Sequence, residues 1–173
     1  VAGLDQDMAG SIGFQSGARP QSKPRIGFMF QEPRLMPWLT VRQNLELVLA
    51  PAARAQPAAE LQDMLTLVGL QGCEALFPGQ LSGGMQRRVA LLRAFIVEPE
   101  LLLMDEPFQS LDAPSASQLR ALLHGLWRRT CPTVLFVTHN LPEAAYMSDF
   151  VVALTARPAR VEAYIVNPLP CPR

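Results

Sequence analysis

The stretch LSGGMQRRVALLRAF at 81–95 is followed by LLLMDEP at 101–107 and then by TVLFVT at 133–138, which runs into His139. The first is a glycine turn opening onto a helical pattern; the other two are short apolar runs that end on polar residues. Strand-length apolar runs separated by longer periodic stretches predict an α/β domain and disfavour a bundle or a sandwich. LLLM and TVLFVT are apolar at successive positions, so helices are expected to cover both faces of each, as in interior strands of a parallel sheet.

The rest of the chain fits that frame. Further strand candidates lie at 11–14, 25–30, 150–154 and 161–166. Thr40 is a candidate cap for a helix over 41–49 that places Val41, Leu45, Val48 and Leu49 on one face. Over 57–68, Pro57 stands at the start, Leu61, Met64, Leu65 and Val68 form a stripe, and Gly69 follows the end. Over 114–129, Leu119, Leu122, Leu123, Leu126 and Trp127 form a core-facing stripe, with Arg128 and Arg129 suited to the C-terminal dipole. A shorter helix is expected from near Pro142, and NPLPCPR reads as an extended tail. No strand pattern separates the helices at 41–49 and 57–68. They predict a helical subdomain, about 40–85, inserted into an α/β core made of 1–39 and 86–173.

Fifteen basic and fifteen acidic side chains cancel, leaving no overall field to hold nucleic acid or an anionic surface. Cys73, Cys131 and Cys171 are odd in number and far apart, which fits neither a disulfide framework nor paired zinc ligands and points to a reducing compartment. No apolar run approaches the roughly 20 residues that span a bilayer. VALLRAFIV is short and interrupted by Arg93. The opening VAGLDQDMAG lacks the basic-then-apolar pattern of a secretory signal, and Val1–Leu4 reads as the last turn of a helix.

Several residues carry chemistry. Ser82, Gly83 and Gly84 open a helix whose free N–H groups and partial positive charge suit a phosphate. The dipole alone is worth roughly 0.3–2 kcal/mol, so other donors must converge; the plainer alternative is a serine-capped helix. Asp105 and Glu106 end a buried strand and so point toward the crevice where ligands of open α/β sheets bind. Asp105 suits Mg2+ held through water, and Glu106 suits polarisation of an attacking water, against the alternative that both acids only close the strand. His139 follows TVLFVT as Asp105 follows LLLM, which suggests one shared site at equivalent strand ends. His124 sits beside a helical apolar stripe and is assigned no site role. Gln31 ends RIGFMF, and its amide oxygen can meet a water or a metal. Asp112 either caps the helix over 114–129 or faces a partner.

Taken in this order, the motifs resemble those of the ATP-binding subunit of ABC transporters. The resemblance implies a P-loop NTPase core of the ABC type with an inserted helical subdomain. It makes Gln31 the Q-loop glutamine, Ser82, Gly83 and Gly84 the signature loop, and Asp105 and Glu106 the Walker B pair. Ser110, Leu111 and Asp112 become the D-loop, and His139 the switch histidine. It further implies ATP and Mg2+ as cofactors and a second ATPase subunit, in a homodimer or heterodimer that sandwiches ATP head to tail. Transmembrane permease subunits, an external solute-binding protein reached indirectly, and a peripheral place on the cytoplasmic face of the membrane complete the implied setting. FQEPRLMPWLTVRQNLEL, LSGGMQRRVALLRAF and MDEPFQSLDAP are similar to the nitrate, sulfonate and taurine importer group. Met85, Leu92 and Asn140 depart from the glutamine, alanine and aspartate common in the wider family. The segment PRLMPWLTV, with Met36 and Trp38, is a candidate permease contact, against the equal alternative that Trp38 is core.

The family cradles phosphates with GxxxxGK(S/T), and the single lysine here, Lys23 in QSKPR, belongs to no such loop. The expectation is therefore an N-terminally truncated ATPase without its Walker A loop, inactive by itself and poorly folded because a central strand is lost. One alternative is a pseudo-ATPase subunit that lends its signature loop to an intact partner. Another, a soluble ABC protein of translation or DNA repair, is disfavoured by the neutral charge.

Overall fold

The computed structural model describes residues 10–14, 24–49 and 58–168. The chain divides into two compact units, Val1–Phe136 and Val137–Arg173. The first contains β1 (Ile26–Met29), α1 (Val41–Glu46), α2 (Ala58–Leu67), α3 (Gly83–Phe95), β2 (Leu101–Asp105) and α4 (Ala113–Thr130). Next comes β3 (Thr133–Val137), whose last residue opens the second unit.

The sheet runs β1-β2-β3. β1 and β2 are parallel, with Ile26 opposite Leu101 and Met29 opposite Met104, so both strands end on the same side. Leu101, Leu102, Leu103 and Met104 are all buried, as a central strand covered on both faces requires. β3 does not meet the same expectation. Leu135 and Val137 are 48% and 60% exposed while Val134 and Phe136 are half-buried. It is the last strand in the order and packs on one face, so its continuous apolar pattern overstates its burial. The SIGF run at 11–14 is not a strand; Ile12 and Phe14 are exposed, and an apolar run without a ladder partner has nothing to hold it extended.

α1 starts as its sequence predicts. Thr40 Oγ1 accepts from the Gln43 N–H at 3.3 Å and the Thr40 N–H donates to Gln43 Oε1 at 2.9 Å, a reciprocal cap. The helix is shorter than 41–49, and Val48 is exposed while Asn44 takes the buried face with Val41 and Leu45. Asn44 Oδ1 accepts from the Met36 N–H at 2.8 Å, and its Nδ2 donates to the carbonyls of Met36, Leu39 and Thr40 at 3.0–3.1 Å. α2 buries Leu61 and Leu65, Val68 is buried just past its end, and Gly69 follows at φ +66°. Pro57 lies outside the described residues.

α3 packs directly on β1. A Cβ added at Gly27 would run into the Ala94 carbonyl and come within 3.2 Å of Leu102 Cδ1, so only glycine allows this approach. Val89, Ala90, Leu91, Leu92, Ala94 and Phe95 are buried along the helix. Each fully buried leucine of this kind contributes about 2 kcal/mol relative to exposure. α4 buries Ala116, Leu119, Leu123 and Leu126, while Trp127 is half-buried and donates its indole N–H to Pro132 O at 3.1 Å.

The second unit continues from β3 into α5 (Leu141–Met147) and an antiparallel hairpin, β4 (Phe150–Leu154) and β5 (Val161–Val166). Asn167 closes it, its side-chain amide donating to Ala145 O at 2.7 Å and Ser148 O at 3.0 Å. Phe150 and Tyr164 stack across the hairpin with centroids 5.7 Å apart.

Candidate functional site

The paired ends of β1 and β2 place two loops side by side. One begins with Gln31; the other carries Asp105, at the last position of β2, and then Glu106. Asp105 is exposed and Glu106 half-buried. The chain turns sharply at Glu106, which adopts φ 45°, and the Gln109 N–H donates to Glu106 O at 3.1 Å. Ser110 follows at φ 61°, and Arg34 in the neighbouring loop has φ 44°. Left-handed backbone costs a residue with a Cβ roughly 1–2 kcal/mol. Such conformations persist where the surroundings dictate them, and here one falls on Glu106 itself.

The Gln31 side chain reaches the second loop: its Nε2 donates to Gln109 Oε1. Arg87, on α3, joins the same loops through their backbones. Its Nη2 donates to Gln109 O at 2.8 Å, and its Nη1 to Gln31 O and Pro107 O, both at 3.4 Å. Two turns further along α3, Arg93 donates to Pro33 O at 2.8 Å and Arg34 O at 2.9 Å. Burial pushes the pKa of both guanidinium groups down from the usual arginine value. Arg88 turns elsewhere, to Gln118 Oε1 at 3.0 Å.

Sequence reasoning missed Arg87, Arg93 and Gln109. A signal for Arg93 was present, because a lone arginine in an apolar run is either a break or a buried donor.

Ser82 caps α3, its Oγ accepting from the Met85 N–H at 3.2 Å. Ser82, Gly83 and Gly84 are all exposed, and a Cβ at Gly83 would meet no atom within 4 Å, so the helix start is open to a ligand. Arg87 lies one turn in from this start, about 6 Å along the axis. Asp112 caps α4, with Oδ2 accepting from the Ser115 N–H at 3.3 Å. Hydrogen bonds from the Ser115 side chain and then its backbone hold the Asp112 carboxyl below the usual aspartate pKa.

His139 stands in the second unit, exposed, between β3 and α5. Asn140 beside it caps α5, accepting from the Glu143 N–H at 3.3 Å, and this gives the departure from aspartate a local role. Trp38 is 70% exposed, which removes the alternative of a core tryptophan. The structure thus brings Gln31 together with the Asp105–Glu106 loop, seats the LSGG start on the same helix that ties them, and carries His139 on a different unit.

Residues 1–109 match the family described as ABC transporter. The aliphatic sulfonates import ATP-binding protein SsuB of Bacillus cereus is 39% identical over 173 residues, covering 100% of this chain and 68% of that protein. SsuB of Bacillus licheniformis is 41% identical over 176 residues, with the same shares covered. Among solved structures, a dimeric post-hydrolysis state of the ATP-binding cassette MJ0796, bound to ADP and Pi, aligns with a TM-score of 0.64 at 31% identity. That alignment covers 82% of this chain and 62% of the solved one. The chain spans about two thirds of the length of these proteins. A parallel α/β sheet with adjacent acids at a buried strand end is the architecture of a P-loop NTPase of the cassette class. The chain belongs to the ABC transporter family.

Proposed function

We propose that this chain acts as an ATP-binding and ATP-hydrolysing subunit of an ABC importer of the aliphatic sulfonate type. The observation that carries the reading is the convergence of Gln31 with the Asp105–Glu106 loop at the shared end of β1 and β2. The names of the relatives in Bacillus support the solute class.

In this reading Glu106 polarises the water that attacks the terminal phosphate, and His139 keeps the switch-histidine role that the family resemblance gives it. Asp105 and Gln31 supply the oxygen donors that suit Mg2+, an ion that keeps several waters and takes few protein ligands. Bound there, Mg2+ neutralises charge on the phosphates. Phosphoryl transfer asks the protein for position and electrostatics, and the tied loops serve the first of these. The phosphate-binding lysine motif GxxxxGK(S/T) is not among the 173 residues, so the residues present fit the metal and water side of an ATP site. Ser82, Gly83 and Gly84 close over ATP held by a second ATPase subunit, with Asp112 near that junction. Residues 40–85 form the helical subdomain, and Trp38 meets permease subunits that receive solute from an external binding protein.

No helix among the described residues is long and apolar enough to cross a membrane. The subunit works from the cytoplasmic face, attached through the permease.

Glu106→Gln tests the central assignment. The variant of the assembled transporter is expected to retain labelled ATP with little phosphate release. Hydrolysis near the wild-type rate would remove Glu106 from its role, and uptake of an alkanesulfonate by cells carrying the assembly tests the solute class.

A further inference from the structure

We propose that Gln109 and Arg87 are positioning residues that fix the orientation of Gln31. Gln31 is exposed, and a glutamine amide can turn either its nitrogen or its oxygen toward a ligand. Here Nε2 donates to Gln109 Oε1. Turning the Gln31 amide alone would set oxygen against oxygen, so the pair as it stands leaves the Gln31 carbonyl oxygen as the atom available to a metal or water.

The Gln109 backbone is held on two sides, which sets its side chain against Gln31. Its N–H donates to Glu106 O at 3.1 Å, and its carbonyl accepts from Arg87 Nη2 at 2.8 Å. The other arm of the same guanidinium reaches Gln31 O and Pro107 O, both at 3.4 Å. A closed ring results: Gln31 side chain, Gln109 side chain, Gln109 backbone, Arg87, Gln31 backbone. It needs a rigid fork that spans two loops, which the single ammonium of lysine does not provide. The ring stands on geometry alone, while its meaning for metal and water rests on the proposed ATPase function.

The test compares Gln109→Met, which keeps length and loses the acceptor, with Gln109→Glu, which keeps an acceptor, and with Arg87→Lys. Arg128→Gln at the end of α4 is the control. Proton exchange of the Gln31 side-chain amide is followed by 15N NMR, the urea midpoint is recorded, and the Mg2+ concentration for half-maximal ATP hydrolysis is measured in the assembled transporter. Gln109→Met is expected to speed the amide exchange about tenfold, as loss of one net hydrogen bond implies, and to lower the urea midpoint by no more than that one bond allows. It is also expected to raise the Mg2+ requirement while the KM for ATP stays constant. Gln109→Glu should stay close to wild type in both, and Arg87→Lys should resemble Gln109→Met.

Unchanged exchange in Gln109→Met, or equal damage from Gln109→Glu, would overturn the ring. Faster exchange with an unaltered Mg2+ requirement would overturn its positioning role. A wild-type assembly that hydrolyses no ATP would instead sink the functional reading, and the exchange measurement would then decide the ring by itself.

Discussion

Replacing Asn44 with alanine should be among the costliest single changes in the first unit. The side chain is fully buried and makes four hydrogen bonds to the loop that carries Trp38. Each such bond contributes about 1 kcal/mol net, and a buried N–H left without a partner costs about 1–3 kcal/mol. Water can enter the half-buried loop and recover part of this, so Asn44→Ala is expected to cost about 3 kcal/mol. That is a large share of the roughly 5–15 kcal/mol that stabilises a domain. In urea, where the slope is roughly 1–3 kcal/mol per molar, the midpoint should fall by about 1.5 M. Asn44→Asp is the sharper variant. It keeps an acceptor for the Met36 N–H but sets a buried carboxylate against three carbonyl oxygens, which is costlier than alanine at neutral pH. Those oxygens raise its folded pKa above the unfolded value of about 3.9. The folded state then binds the proton more tightly, so stability is recovered as pH falls and lost again as pH rises through the folded pKa. Urea unfolding at pH 5 and pH 8, followed by circular dichroism, measures both effects. An alanine variant within about 0.5 kcal/mol of wild type, the range of ordinary surface changes, would refute the reasoning. So would an aspartate variant that is relatively more stable at pH 8.

Gly27→Ala should destabilise the first unit by about 1–3 kcal/mol, because the new methyl meets the Ala94 carbonyl, a backbone atom that cannot swing aside; the urea midpoint measures it. Arg93→Met, similar in length but without donors, should cost about 2 kcal/mol by freeing the Pro33 and Arg34 carbonyls, and hydrogen exchange should rise across 33–36 before it rises in α3. Asp112→Ala should lower the melting temperature at neutral pH by removing the α4 cap. The folded-state pKa of Asp112 is depressed, so its contribution is present above the unfolded aspartate value and lost as pH falls through the folded one. The gap between wild type and Asp112→Ala should therefore close in acid, and a gap independent of pH would remove the capping carboxylate from the account.

How much was legible in the sequence depended on whether the signal was local. Caps are local, so Thr40 with Gln43, Ser82 with Met85 and Asp112 with Ser115 appear where their residue types predicted them. β2 was equally plain, because four consecutive apolar residues fit a strand covered on both faces. β3 carried the same pattern and ended half-exposed, since position at the edge of a sheet is a property of strand order and leaves no mark on the strand itself. The buried role of Asn44 was concealed by its type: it sits at the spacing of Val41 and Leu45, but an asparagine on an apolar face signals nothing until its carbonyl partners fold around it. Arg87 and Gln109 were invisible for the same reason. Their side-chain partners lie 20 to 78 positions away in the chain, and only the pairing of β1 with β2 brings the two loops within reach.

The left-handed backbone at Glu106 and Ser110 has a consequence for anyone who evolves this chain in the laboratory. Glycine would adopt those angles without strain, so thermal selection that ignores activity should enrich glycine at both codons, provided the relief exceeds the entropy glycine adds to the unfolded chain. At Ser110 such a change would be tolerable. At Glu106 it would delete the carboxylate assigned to the attacking water, and the most heat-resistant survivors of the library would be those that had given up the reaction.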